Sequence, residues 1–78
     1  MTLKHLKIFL TVCRENSITK AAQKLYTSQP AVSLAIREME DYYGVKLFDR
    51  ISHRLYLTAP GCVMRDYADS ILHQFEEM

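Results

Sequence analysis

The sequence predicts a small, mainly α-helical domain: three helices, a short β-hairpin, and a long fourth helix. Three observations predict it. Apolar residues recur at helical spacing in separate stretches, small polar residues stand where each helix would begin, and two short strand-like segments interrupt the helical pattern between residues 46 and 58.

Each element has its own signal. Leu3, Leu6, Phe9, Leu10 and Cys13 form an apolar stripe over residues 3–15, with Lys4, Lys7 and Arg14 off it, as in an amphipathic helix. Asn16 and Ser17 interrupt that helix. The Ser17 hydroxyl can accept from an orphan backbone N–H, so it caps a second helix through Ala21, Ala22 and Leu25. The paired alanines let a neighbouring helix come close. Thr27 or Ser28 caps the third helix, and Pro30 falls in its first turn, where a missing N–H costs nothing. Val32, Ile36, Met39 and Tyr43 form an inward stripe. Gln29, Ser33 and Arg37 make an i, i+4, i+8 row elsewhere on this helix, with Leu34 also off the stripe. Gly44 stops it, since glycine takes the left-handed conformation cheaply.

Residues 46–50 and 55–58 read as strands of a hairpin joined through Ile51-Ser52-His53-Arg54, although neither Asn-Gly nor Asp-Gly marks the turn. Three helices followed by a hairpin is the order of a winged helix-turn-helix, with the motif proper at about 18–37 and the wing at about 46–58. Thr58 caps the last helix and Pro60 lies in its first turn. Met64, Ala68, Ile71, Phe75 and Met78 then recur at four, three, four and three, a heptad-like seam. Its first half can cover the domain's own core. A small domain cannot easily hide Phe75 and Met78 as well, so the seam predicts a partner helix. The expected organisation is a DNA-binding unit at 1–58 and a linker helix for dimerisation at 59–78. The absence of a C-terminal cap suggests a fragment of a longer protein.

Composition narrows the function classes. Seventy-eight residues suffice for one domain, and 49% hydrophobic content with two glycines and two prolines leaves little room for disorder. No apolar run approaches the roughly 20 residues of a membrane span, and no signal-peptide layout is present, which places the expected location in the cytoplasm. Cys13 and Cys62 show no metal or redox spacing, so free thiols are expected, with Cys13 in a packing role. The histidines are scattered, no serine or cysteine has a base partner, and no glycine-rich phosphate loop occurs. An enzyme, a metal site and a cofactor are therefore not expected.

The net charge of +1 hides an asymmetry along the chain. From Met1 to Arg37 the bases Lys4, Lys7, Arg14, Lys20, Lys24 and Arg37 face only Glu15, whereas acids outnumber bases beyond Glu38. A polyanion responds to such a local field, not to the sum. The third helix's N-terminus offers free N–H groups and a positive dipole end to phosphates, and Thr27 and Ser28 add hydroxyls there. Gln29 can pair bidentately with adenine, Ser33 suits either base type, and Pro30 and Leu34 suit a thymine methyl. Arg37 can reach a guanine edge or a phosphate. Arg50, His53 and Arg54 on the hairpin would place positive groups near the minor groove. A salt bridge to Asp49 or another acid is the alternative for Arg50.

The run Ala21-Ala22 through Leu25, Ser28-Gln29-Pro30-Ala31-Val32-Ser33, Ile36, Glu40, Gly44, Leu47-Phe48-Asp49-Arg50, and Leu57-Thr58 with Gly61 resembles the N-terminal DNA-binding domain of LysR-type bacterial transcriptional regulators. The resemblance covers nearly the whole chain. It implies that Gln29, Pro30, Ser33 and the residue at 34 enter the major groove while the wing at 50–54 approaches the minor groove. It also implies an antiparallel pairing of linker helices in a homodimer. Family members usually carry a C-terminal effector-binding domain, absent here, and act as tetramers. Leu34 stands where arginine or lysine is frequent, which favours methyl recognition. Ser52 and His53 replace a common Gly-Arg or Gly-Lys tip, which would make minor-groove binding sensitive to pH near histidine's reference pKa of about 6.5. Met39 and Tyr43 stand where leucine is frequent, and Pro60 replaces a common alanine.

The expected function is sequence-specific binding of double-stranded DNA at an inverted repeat. The rival reading is a winged-helix module that dimerises and never reads DNA. Neutral or acidic side chains around the third helix's N-terminus would mark it, and Lys20, Lys24 and Arg37 oppose it.

Overall fold

The computed structural model describes residues 1–78 and contains α1 (Leu3–Glu15), α2 (Ile18–Lys24), α3 (Gln29–Tyr43), β1 (Phe48–Ile51), β2 (Arg54–Leu57) and α4 (Ala59–Glu77). Every helix starts at a side-chain cap. Ser17, Ser28 and Thr58 accept from the backbone N–H of Lys20, Ala31 and Gly61 respectively. Thr2 does the same for His5, and the Thr2 N–H donates back to His5 Nδ1, a reciprocal capping box formed with histidine. Asn16 (φ 53°) and Gly44 (φ 67°) close α1 and α3 in the left-handed conformation.

The core lies where α1 crosses the other helices. Phe9, Val12, Val32, Met39 and Leu47 are fully enclosed, and the rings of Phe9 and Phe48 meet at 5.4 Å, joining α1 to the base of the hairpin. Truncating a buried phenylalanine of this kind costs about 3–5 kcal/mol. Ala21 and Ala22 are buried, as the close approach of α2 to α1 and α3 requires.

The hairpin pairs Phe48 with Leu57 through Ile51 with Arg54, leaving Ser52 and His53 as a two-residue turn. Both take positive φ, 51° and 65°. A type I′ turn needs this because its twist matches that of the flanking strands. Two non-glycine residues meet the requirement here, at a strain of order 1 kcal/mol each.

The strands begin two residues later and one residue earlier than expected, at Phe48 and Arg54. Tyr43 does not belong to the inward stripe: it is 44% exposed and packs edge-on against Tyr42 at 4.9 Å. The last turn of α3 has run past the core, so periodicity alone misplaced it. The α4 stripe also divides. Ala68 is fully buried and Met64 packs on the core, whereas Ile71, Phe75 and Met78 are exposed. The inward line of α4 is Gly61, Met64, Ala68 and Leu72, spaced by three and fours against α1 and the hairpin. The outward apolar face begins with Val63 and Tyr67, which the heptad reading passed over.

Gly61 marks the closest approach. A Cβ there would collide with the Leu47 carbonyl oxygen, so α4 reaches the strand base only because the position lacks a side chain.

Candidate nucleic-acid interface

The turn between α2 and α3 is built from the backbone. The Thr27 N–H donates to the Ala22 carbonyl at 3.0 Å and the Tyr26 N–H to Gln23 at 3.2 Å, with Tyr26 itself at φ 54°. The chain therefore turns over the four residues 25–28, and α3 starts at Gln29. Ser28 caps the Ala31 N–H, Pro30 has none, and the Gln29 N–H is left open at the positive end of the helix.

Gln29, Pro30, Leu34 and Arg37 are exposed and Ser33 is half-buried, so all five lie along the free edge of α3. Leu34 is 53% exposed and contributes nothing to the core. Thr27 and Ser28 are exposed at the same end. The inward side of this helix is carried by Val32, Ala35, Ile36 and Met39.

An open cleft of about 520 Å³ separates this edge from the wing, and brings Ser33 and Arg37 of α3 into one surface with Lys46 and Arg50. Arg50 takes neither of the acids that could have neutralised it. The ion pairs of the molecule are His5–Glu38, Arg14–Asp69, Arg65–Asp66 and His73–Glu77, which leaves Arg37, Lys46, Arg50 and Arg54 free. His53 and Arg54 stand apart from the cleft at the exposed hairpin tip.

Sequence reasoning missed two residues that position this surface. Glu40 accepts from the backbone N–H of Leu47 at 2.8 Å and of Phe48 at 3.4 Å, tying α3 to β1. His5 holds α1 to α3. Its Nδ1 accepts from Thr2, so Nε2 carries the proton and donates to Glu38 at 3.0 Å. Neither pair has a local sequence signal, because the partners lie 7 and 33 residues apart. Lys46, which lines the cleft, has no sequence signal beyond its charge.

A short turn, a capped helix with a free polar edge and a positively charged hairpin beside it define a winged helix-turn-helix domain of the transcription-regulator class. The chain belongs to the LysR family of bacterial regulatory helix-turn-helix proteins, whose family model matches residues 3–62.

Among its relatives, the RuBisCO operon transcriptional regulator of Allochromatium vinosum is 40% identical over 78 residues, covering 100% of this chain and 26% of that protein. The Hca operon transcriptional activator HcaR of Escherichia coli K12 is 44% identical over 77 residues, 97% of this chain and 26% of that protein. This chain thus spans about a quarter of the length of the curated relatives it matches. Among solved structures, the BenM DNA-binding domain bound to catB site 1 DNA superposes with a TM-score of 0.96 at 37% identity, covering 100% of this chain and 88% of that one. The CbnR DNA-binding domain in its DNA complex gives 0.93 at 30% identity, covering 99% and 88%.

Proposed function

We propose that this domain binds double-stranded DNA sequence-specifically as a homodimer, each copy placing the N-terminal half of α3 in a major groove and the hairpin near the adjoining minor groove. One observation carries the reading. Gln29, Pro30, Ser33, Leu34 and Arg37 share the free edge of a helix whose other side is fully engaged in the core, so the fold has no use for them. Gln29 and Ser33 supply hydrogen-bonding groups to base edges, Pro30 and Leu34 supply apolar contact to thymine methyls, and Arg37 reaches a guanine or a phosphate. Thr27 and Ser28 hold the phosphate at the helix end, and Arg50, His53 and Arg54 supply the minor-groove charge.

The solved DNA complexes of BenM and CbnR domains support this reading. The rival interaction-only module is disfavoured, since Lys20 and Lys24 of α2 and Arg37 of α3 are unpaired cations. The relatives are transcriptional regulators, which supports a binding role for this domain.

The exposed face of Ile71, Phe75 and Met78, extended by Val63 and Tyr67, carries the dimer contact between α4 helices. A two-fold dimer reads an inverted repeat. No helix is long and apolar enough to cross a membrane. Acting on chromosomal DNA places the protein in the cytoplasm.

Selection of binding sites from a random duplex pool, followed by fluorescence anisotropy over a salt series, tests the reading. An inverted repeat should emerge, with log affinity falling linearly in log salt. Equal affinity for all sequences, or indifference to salt, overturns it.

A further inference from the structure

Tyr26 is 97% exposed, yet its backbone sits at φ 54°, a conformation that a bulky residue adopts at a cost and that glycine or asparagine would adopt more cheaply. Nothing in the fold repays that cost. The side chain buries almost no surface and neither the phenol nor the ring has a partner within the chain. The main chain of the turn is held by the N–H groups of Tyr26 and Thr27, which any residue supplies.

Tyr26 lines an open groove of about 470 Å³ bounded by α1, the α2–α3 turn and the Ala31 and Ala35 side of α3, with Lys4 and Lys7 also in its lining. Neither lysine has an ion-pair partner. The acid in the groove, Glu38, is engaged by His5 at 3.0 Å, so two free positive charges dominate the rim. Thr27 lines the groove and also stands at the α3 N-terminus, two residues before Gln29. The groove therefore meets the reading edge at the α3 N-terminus, while Ala31, Ala35 and Glu38 line it from another side of the helix.

We propose that this groove is a second phosphodiester-binding surface, which holds the DNA backbone flanking the bases read by α3. Lys4 and Lys7 neutralise successive phosphates. The Tyr26 ring packs on a deoxyribose and its hydroxyl donates to a phosphate oxygen. The proposal rests on the DNA-binding reading above, and extends the contact to the first helix. Backbone contacts of this kind set register and affinity without carrying base information.

The test uses the 78-residue chain and its selected duplex, with hydroxyl-radical footprinting and a salt series. The double variant Lys4→Gln/Lys7→Gln should lower the salt slope by about 1.8 for each bound copy, two phosphates at about 0.9 each, and so by about 3.6 for the dimer on its inverted repeat, with base preference unchanged. Tyr26→Asn should raise the thermal midpoint while weakening binding about fivefold, the loss of one net hydrogen bond with its packing. Tyr26→Phe should recover part of that loss. In both cases protection should vanish from backbone positions outside the recognised bases and persist at those bases. Because stability and affinity move in opposite directions, unfolding cannot produce this result. Wild-type slope, affinity and footprint in all three variants would overturn the groove alone, and would leave its lysines to an acidic protein partner. A wild-type chain that shows no salt-dependent binding to any duplex would overturn the DNA-binding reading and the groove with it.

Discussion

The carboxylate of Glu40 accepts the backbone N–H of Leu47 at 2.8 Å and, at 3.4 Å, that of Phe48. The reading helix and the wing are thereby held as one body. Leu47 is also gripped from the other side, since its carbonyl accepts from the Thr58 N–H at 3.1 Å and lies against Gly61. The start of the hairpin is fixed between α3 and α4, and the wing's aim depends on that grip.

Glu40→Gln keeps an acceptor but loses the charge that strengthens it, and should cost about 1 kcal/mol. Glu40→Ala leaves two part-buried N–H groups without partners and should cost about 2–3 kcal/mol. Urea denaturation measures both. In footprints, Glu40→Gln should lose protection in the minor groove before the major groove, because the hairpin is freed while α3 stays folded.

Gln29→Ala should relax the base preference at one position at a cost of about 1–3 kcal/mol, whereas Lys20→Ala or Lys24→Ala should weaken binding to all duplexes alike. Anisotropy against a panel of single-base operator variants separates the two patterns. Leu34→Ala should erase discrimination at the base pair it covers, with little change in salt slope, since no charge is removed.

The two faces of α4 give opposite outcomes for the same change. Phe75→Glu or Ile71→Glu should leave a folded monomer in sedimentation and circular dichroism, because both positions are exposed. Ala68→Glu should unfold the chain. Its position is fully enclosed, and burying an unpaired carboxylate costs several kcal/mol. A concentration-independent wild-type monomer would remove the dimer from the proposal.

Cys13 is half-buried, and burial pushes its thiol up from 9.0 to about 11, partly offset by the Arg65 guanidinium. The folded state therefore holds the proton more tightly than the unfolded chain. Stability from this group is fully present below pH 9 and is lost as pH rises through 11. Cys13→Ala should flatten that alkaline loss in thermal melts. Alkylation of native Cys13 by iodoacetamide at pH 8.5 should be far slower than in urea.

Much of this protein was legible in one dimension. Helix starts are local chemistry, so Ser17, Ser28, Thr58 and Gly44 could be read directly from the chain, and the free edge of α3 followed from the spacing of Val32, Ile36 and Met39. The turn of the hairpin was harder, because Ser52 and His53 adopt positive φ without the glycine that announces it. The helix-turn-helix corner was legible from the cap that follows it, although the positive φ of Tyr26 was not.

What the sequence by itself determined is the set of elements, their order and the residues with no place in a core, because caps and periodicity depend on neighbours within about one helical turn. Only the tertiary structure decided which side of α4 faces inward, where α3 outruns the core at Tyr43, and which charges remain free. Those outcomes depend on packing across elements distant in sequence: Gly61 against Leu47, Glu40 against the first strand, and His5 against Glu38.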